Sequence, residues 1–389
     1  VWKTARQNSF VMQLAGKGMN APISRVTELK RTEKGTLAVL TLVPDLTGDG
    51  VMGDATLEGN EEAAKAYDLV VEIDQIRNAN KLAGRIADQK SIVDFRETSR
   101  DILGFWAADR LDQLAMLTMS GVDYRLQTDG KIRTGFTHDG ANYARTAAAG
   151  TALYDLAFQA RLTKPSTKRY FRWDATAGKL VAGTATTVLG AQTNAADSPT
   201  AIVATDTPSY KMLVELHAYA KQRRLRPIRV TGGVALYHVL MHPQAVAKLK
   251  LDADFLANLR NAGARGASNP LFSGALVTVD GLVIHENIHV FNTLGATTGA
   301  AGQVGRPGYK WGANADVDGS RTLILGAQAL GFADIGIPEW VERNHFDYGN
   351  QLGISINKIV GFLKPQFKGS FDDEANLQDY GVICVDHAI

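Results

Sequence analysis

The chain has 389 residues, 45% hydrophobic and 21% charged, a balance that suits a folded protein with a large core and two subdomains. Its net charge of +2 is too small for a general nucleic-acid coat, and its single cysteine, Cys384, excludes an intrachain disulfide framework and a cysteine-based zinc site. No apolar run approaches the length of a membrane span, and the basic, non-apolar start has no signal-peptide pattern.

Residues 1–34 carry seven basic residues (Lys3, Arg6, Lys17, Arg25, Lys30, Arg31, Lys34) against two acids. Scattered glycine, asparagine and Pro22 argue against one long helix, so this is a basic, loosely ordered arm. The runs 36–44 and 67–76 are rich in β-branched and aliphatic residues and read as strands. Between them, 45–62 holds six acids (Asp45, Asp49, Asp54, Glu58, Glu61, Glu62), four glycines and no lysine or arginine. That composition supplies turns rather than a regular element. The expectation is two strands joined by a long acidic tongue, whose apolar members are Val51, Met52 and Leu57. Asp45, Thr47, Asp49 and Gly50 imitate the start of an EF-hand calcium loop. The glutamate needed at its twelfth position is Thr56, and the flanks read as strands, not helices. A phosphate loop needs Gly-Lys-Ser/Thr before a helix, which is missing, and the acids would repel phosphate.

Residues 91–120 show helical spacing of Ile92, Phe95, Ile102, Leu103, Trp106, Leu114 and Leu117, with Ser91 and Asp94 as caps and Gly121 as the stop. Such a helix is about 45 Å long. Residues 122–207 read as loop-rich and β-rich, with strands at 169–173 and 181–189. A second helix runs over 209–224 and is followed by Arg226 and Arg229. The cluster Lys221, Arg223, Arg224, Arg226 and Arg229 reads first as cations complementing the helix C-terminus, and alternatively as a nucleic-acid patch. A strand at 234–241 precedes His242-Pro243 and a helix to 251. Residues 293–320 read as a Gly-rich loop. Strand-like runs follow at 323–333, 352–356, 359–363 and 380–385.

His285-Glu286-Asn287-Ile288-His289 matches the zinc-protease pattern His-Glu-x-x-His. That chemistry needs a helix, where residues i and i+4 meet one metal. Here 276–279, Asp280-Gly281 and 282–284 read as a β-hairpin, which separates the histidines, and no third ligand follows at the required spacing. No Gly-x-Ser-x-Gly elbow occurs, and nothing local activates Cys384. The residues alone therefore describe a protein with a protruding hairpin, a basic arm and no credible catalytic, metal or cofactor site.

Leu-Thr-Gly-Asp-Gly (46–50), Leu-Glu-Gly-Asn-Glu-Glu (57–62), Tyr67-Asp68, and Ile73-Asp74-Gln75 with Arg77-Asn78-Ala79 resemble one branch of the tailed-phage major capsid proteins. The likeness covers most of the chain and is weakest over 121–207. It implies an α/β fold of the Hong Kong 97 type: an N-terminal arm (1–34), an extended loop (35–82), and a peripheral domain (83–207) with a spine helix. An axial domain (208–344) and C-terminal strands (345–389) returning to the peripheral domain complete it. It also implies hexamers and pentamers closing into an icosahedral head around double-stranded DNA, bound without sequence specificity. The expected partners are other copies, a portal protein and scaffold or decoration proteins, with no membrane, in a virion assembled in the host cytoplasm. Neighbouring subunits would meet through the tongue (Asp45, Asp49, Val51, Met52, Asp54, Leu57, Glu58, Glu61, Glu62) and the arm (Lys3, Arg6, Lys17, Arg25). An encapsulin-type cellular shell and a metallohydrolase using His285 and His289 are the alternatives.

Overall fold

The computed structural model describes residues 9–18, 20–26, 37–42, 48–61, 67–91, 94–138, 143–190, 198–229, 235–262, 277–300, 303, 306–369 and 373–389. The expected contact residues Asp45, Glu62, Lys3 and Arg6 lie outside these, as do Ile92 and the stretch 263–276.

The longest helix is Phe95–Ser120. Asp94 begins it, its Oδ1 accepting the backbone N–H groups of Arg96 (2.8 Å) and Glu97 (3.1 Å). Gly121 ends it in the left-handed region at φ 63°, where a Cβ would lie 2.7 Å from the Thr163 carbonyl oxygen. Capping by Asp94 rather than Ser91 shortens the helix to 26 residues, about 39 Å. Its C-terminal half is buried from Leu111 onward, apart from a half-buried Gln113. Its N-terminal half is buried only along one stripe, Ser99, Leu103, Gly104 and Ala108, while Trp106 is half-buried and Ile102 and Phe105 are 53% and 57% exposed. Ile102 thus lies off the core face where its spacing placed it.

This helix sits at the junction of two sheets. The five-stranded sheet runs in the order Ala15–Gly16, Ile23–Val26, Leu330–Phe346, Gln351–Leu363, Asp74–Lys81. The eight-stranded sheet runs Val277–Val279, Leu282–Glu286, Ala235–Met241, Gly319–Leu325, Val382–Ala388, Tyr170–Asp174, Lys179–Ala182, with Ile228–Arg229 added beside Ala235–Met241. Leu114, Leu117 and Met119 of the helix share one core with Phe332, Val360 and Phe362 of the smaller sheet and Leu240, Leu323 and Cys384 of the larger. The far face of the larger sheet packs on helices Tyr210–Gln222 and Pro243–Leu251 through Met212, Leu213, Leu216, Val246 and Leu249. Covered on both faces, Gly319–Leu325 and Val382–Ala388 are buried throughout, including their polar members Ser320, Arg321, Thr322, Asp386 and His387.

The C-terminal region is divided between the sheets. Gln351–Leu363 pairs with Leu330–Phe346 and Asp74–Lys81, so the boundary expected at 344/345 falls inside one hairpin. Val382–Ala388 does not return with it. This strand is inserted between Gly319–Leu325 and Tyr170–Asp174 of the larger sheet. Apolar runs identify such strands but do not say which sheet receives them.

Candidate assembly interface

The tongue rises from a two-stranded ribbon, Leu37–Leu42 paired antiparallel with Tyr67–Glu72. Leu40 and Val71 anchor the ribbon against Val26, Ala333 and Leu363. Beyond the ribbon, Asp49, Asp54, Glu58 and Glu61 are exposed, Val51 is half-buried, and Met52 and Leu57 are 72% and 59% exposed. Hydrogen bonding here includes short-range turns: Ala55 N–H to the Met52 carbonyl (3.4 Å), Asn60 N–H to that of Leu57 (2.9 Å), and Gly59 N–H to the Glu61 carboxylate (2.8 Å). Gly50, Gly53 and Gly59 adopt positive φ and supply the bends. Local turns fix the tongue's shape, while its acids and apolar side chains face outward.

The arm is more firmly tied to its own subunit than its composition implies. Ser9 caps the short helix Phe10–Leu14. The Asp112 carboxylate, on the long helix, accepts the Ser9 hydroxyl (2.6 Å) and the N–H groups of Phe10 (2.9 Å) and Val11 (3.0 Å). Burial raises the Asp112 pKa, and these hydrogen bonds oppose the rise. Arg25, on strand Ile23–Val26, pairs with Asp334 of the adjoining strand, and Lys358 Nζ lies 2.5 Å from the same carboxylate. Its guanidinium is thus engaged within its own subunit, because a buried carboxylate needs charge partners. Lys17 is exposed in the turn before Asn20.

The histidine motif is dispersed. His285 and Glu286 end strand Leu282–Glu286, and the chain then turns at Asn287, whose Oδ1 accepts the His289 N–H (2.7 Å). His285 Nε2 lies 2.7 Å from His238 Nδ1, Glu286 pairs with Lys250 (2.9 Å), and His289 Nε2 meets Asp109 (3.1 Å). Burial, then the neighbouring His238, pulls the His285 pKa down to about 4. No group of three metal-ligating side chains occurs among the described residues. Replacing His285 with alanine is expected to leave the metal content of washed particles unchanged. Stoichiometric zinc in the parent that disappears in this variant is the contrary result.

Between the helix and the larger sheet lies a network that the sequence did not reveal. Arg321 forks onto Asp386 (Nε–Oδ1 2.7 Å, Nη2–Oδ2 2.8 Å) and donates to the Ser120 carbonyl at the helix end (2.7 Å) and to Tyr170 Oη (3.1 Å). Tyr170 in turn donates to Asp386 (2.5 Å). Burial works against the charged guanidinium, yet Asp386 and Tyr170 together raise its pKa above the ordinary value.

Residues 2–389 match the sequence model of a family described as "Phage capsid protein". The chain belongs to this family. The major capsid protein of Pseudomonas phage KPP25 is 50% identical over 384 residues, 99% of this chain and 92% of that protein. Among solved structures, the capsid of Ralstonia phage GP4 aligns with TM-score 0.68 at 24% identity over 96% of this chain and 89% of that one. The cyanophage Pam1 capsid aligns with TM-score 0.65 at 14% identity over 98% and 92%. These two likenesses show a mixed α/β phage-capsid fold. The capsid protein is therefore a structural component of the icosahedral phage head, located in the virion, and not an enzyme. For such a protein the functional site is the set of surfaces that other copies cover.

Proposed function

We propose that the subunit is organised as a Hong Kong 97-type capsomer unit. Helix Phe95–Ser120 is the spine of a peripheral region that includes the five-stranded sheet. The eight-stranded sheet with its flanking helices is the axial region. Copies gather into hexamers and pentamers that close around double-stranded DNA. A portal protein, with scaffold or decoration proteins, completes the head.

The observation that carries this reading is the tongue. It places four acids and two exposed apolar side chains, Met52 and Leu57, on a ribbon whose anchoring residues lie at its base. Surface of this kind is used when another copy covers it. In the shell the tongue lies across an adjacent subunit, with Met52 and Leu57 providing most of the hold and the acids setting register. Electron cryomicroscopy of purified particles tests this. The expected density shows rings of five and six subunits with residues 48–61 over a neighbour. Density in which the tongue folds back wholly onto its own subunit overturns it.

A further inference from the structure

The last residues of helix Tyr210–Gln222 and the connection to strand Ile228–Arg229 hold five cations in nine residues, Lys221, Arg223, Arg224, Arg226 and Arg229, and no acid. The helix ends in a Schellman turn: Arg224 N–H donates to the Lys221 carbonyl (3.0 Å) and Leu225 N–H to that of Ala220 (2.9 Å). The position after the cap is therefore Arg224, held at φ 52°. Glycine is the usual residue there because a Cβ is strained in that conformation. Arg224 takes it instead, as Ala315 and Gln328 take positive φ elsewhere in the chain.

The helix dipole accounts for only part of the cluster. Its field falls off within the last turn, where Lys221 lies. Arg226 lies in the connection beyond, and Arg229 ends the edge strand Ile228–Arg229. Leu225 and Ile228 are buried, whereas Lys221, Arg224, Arg226 and Arg229 are exposed. The scaffold beneath is rigid. Asn20 accepts from the Arg229 N–H (2.9 Å), Ala327 N–H donates to the Arg226 carbonyl (2.8 Å), and Gln328 N–H donates to that of Ala21 (2.8 Å). These bonds bring the turn carrying exposed Lys17 alongside.

We propose that the face built by Lys221, Arg224, Arg226 and Arg229 binds the phosphate backbone of double-stranded DNA without reading bases. Guanidinium groups on a fixed backbone suit phosphate oxygens, which accept paired N–H bonds. The acidic tongue of another copy is the competing occupant. It brings Met52 and Leu57, which need an apolar seat, and residues 221–229 expose none. The assignment rests on the reading that the shell encloses DNA.

The test is fluorescence anisotropy of the purified full-length protein with a short double-stranded DNA over a salt series. Each phosphate neutralised contributes about −0.9 to the slope of log affinity against log salt. The triple variant R224Q/R226Q/R229Q is expected to flatten that slope by about 2–3 and to weaken low-salt binding about tenfold or more. Scrambling the DNA sequence changes nothing. Removing three cations elsewhere, K90Q/R96Q/R100Q, leaves the slope as in the parent. Arg224→Gly guards against a misfolded triple variant: it relieves the backbone, so melting holds or rises while the slope flattens by about one. A parent that does not bind DNA, or a triple variant with the parental slope, overturns the assignment. So does lost shell assembly with unchanged DNA binding, which gives the face to another copy's tongue. Shells that never contain nucleic acid refute the wider reading instead.

Discussion

Arg321→Ala is expected to destabilise the subunit by about 3–5 kcal/mol, the range for breaking a buried ion pair from one side. The Arg321 and Asp386 side chains are 1% and 0% exposed. Removing the guanidinium leaves Asp386 with the Tyr170 hydroxyl and no cation, and removes a donor from the Ser120 carbonyl at the helix end. Three separate chain regions lose their shared tie at once. A double variant with apolar residues of similar volume, Arg321→Met with Asp386→Leu, is expected to recover much of the loss, because the desolvation cost of both charges also disappears. Denaturant unfolding of parent, single and double variants reads this directly. A single variant with the parental midpoint and slope would contradict the network's role.

Replacing residues 48–61 with a short Gly-Ser turn is expected to have the opposite signature: subunit melting unchanged, shells absent. The ribbon keeps its own core through Leu40 and Val71, so folding does not depend on what lies beyond it. Assembly does depend on it. Covering Met52 and Leu57 is worth about 1.5–3 kcal/mol each at full burial, and each exposed ion pair only about 0–1 kcal/mol. Repetition around a closed shell multiplies these terms. Charge reversal at Glu58 and Glu61 should therefore slow assembly more at low salt than at high salt, since screening weakens the new repulsion. Light scattering across a salt series, with electron microscopy of the products, checks both points. Shells forming at the parental rate without the tongue would refute its role.

The elements with local signatures were legible before the structure. Asp94 and Gly121 bracket the long helix, β-branched runs mark the ribbon, and glycine with acid marks the tongue. The β-strand context also separated His285 from His289, against the literal motif. Periodicity failed at Ile102, because an apolar residue exposed on a helix counts the same as one in a core. It also could not assign Val382–Ala388 to a sheet. The ties that fix the arm and the sheets were invisible for a different reason. Asp112 binds Ser9 across 103 positions, Asp334 binds Arg25 across 309, and Asp386 binds Arg321 across 65. Each is an ordinary acid until the fold delivers its partner.

The insertion of Val382–Ala388 between Tyr170–Asp174 and Gly319–Leu325 sets an order of events on the ribosome. Both flanking strands emerge from the exit tunnel long before the strand that joins them. Until residue 388 appears, the larger sheet is two pieces with open edges, and Arg321 waits without Asp386. Domains generally fold as units during synthesis, and this one is withheld to a late moment. A half-made subunit thus lacks the middle of its larger sheet.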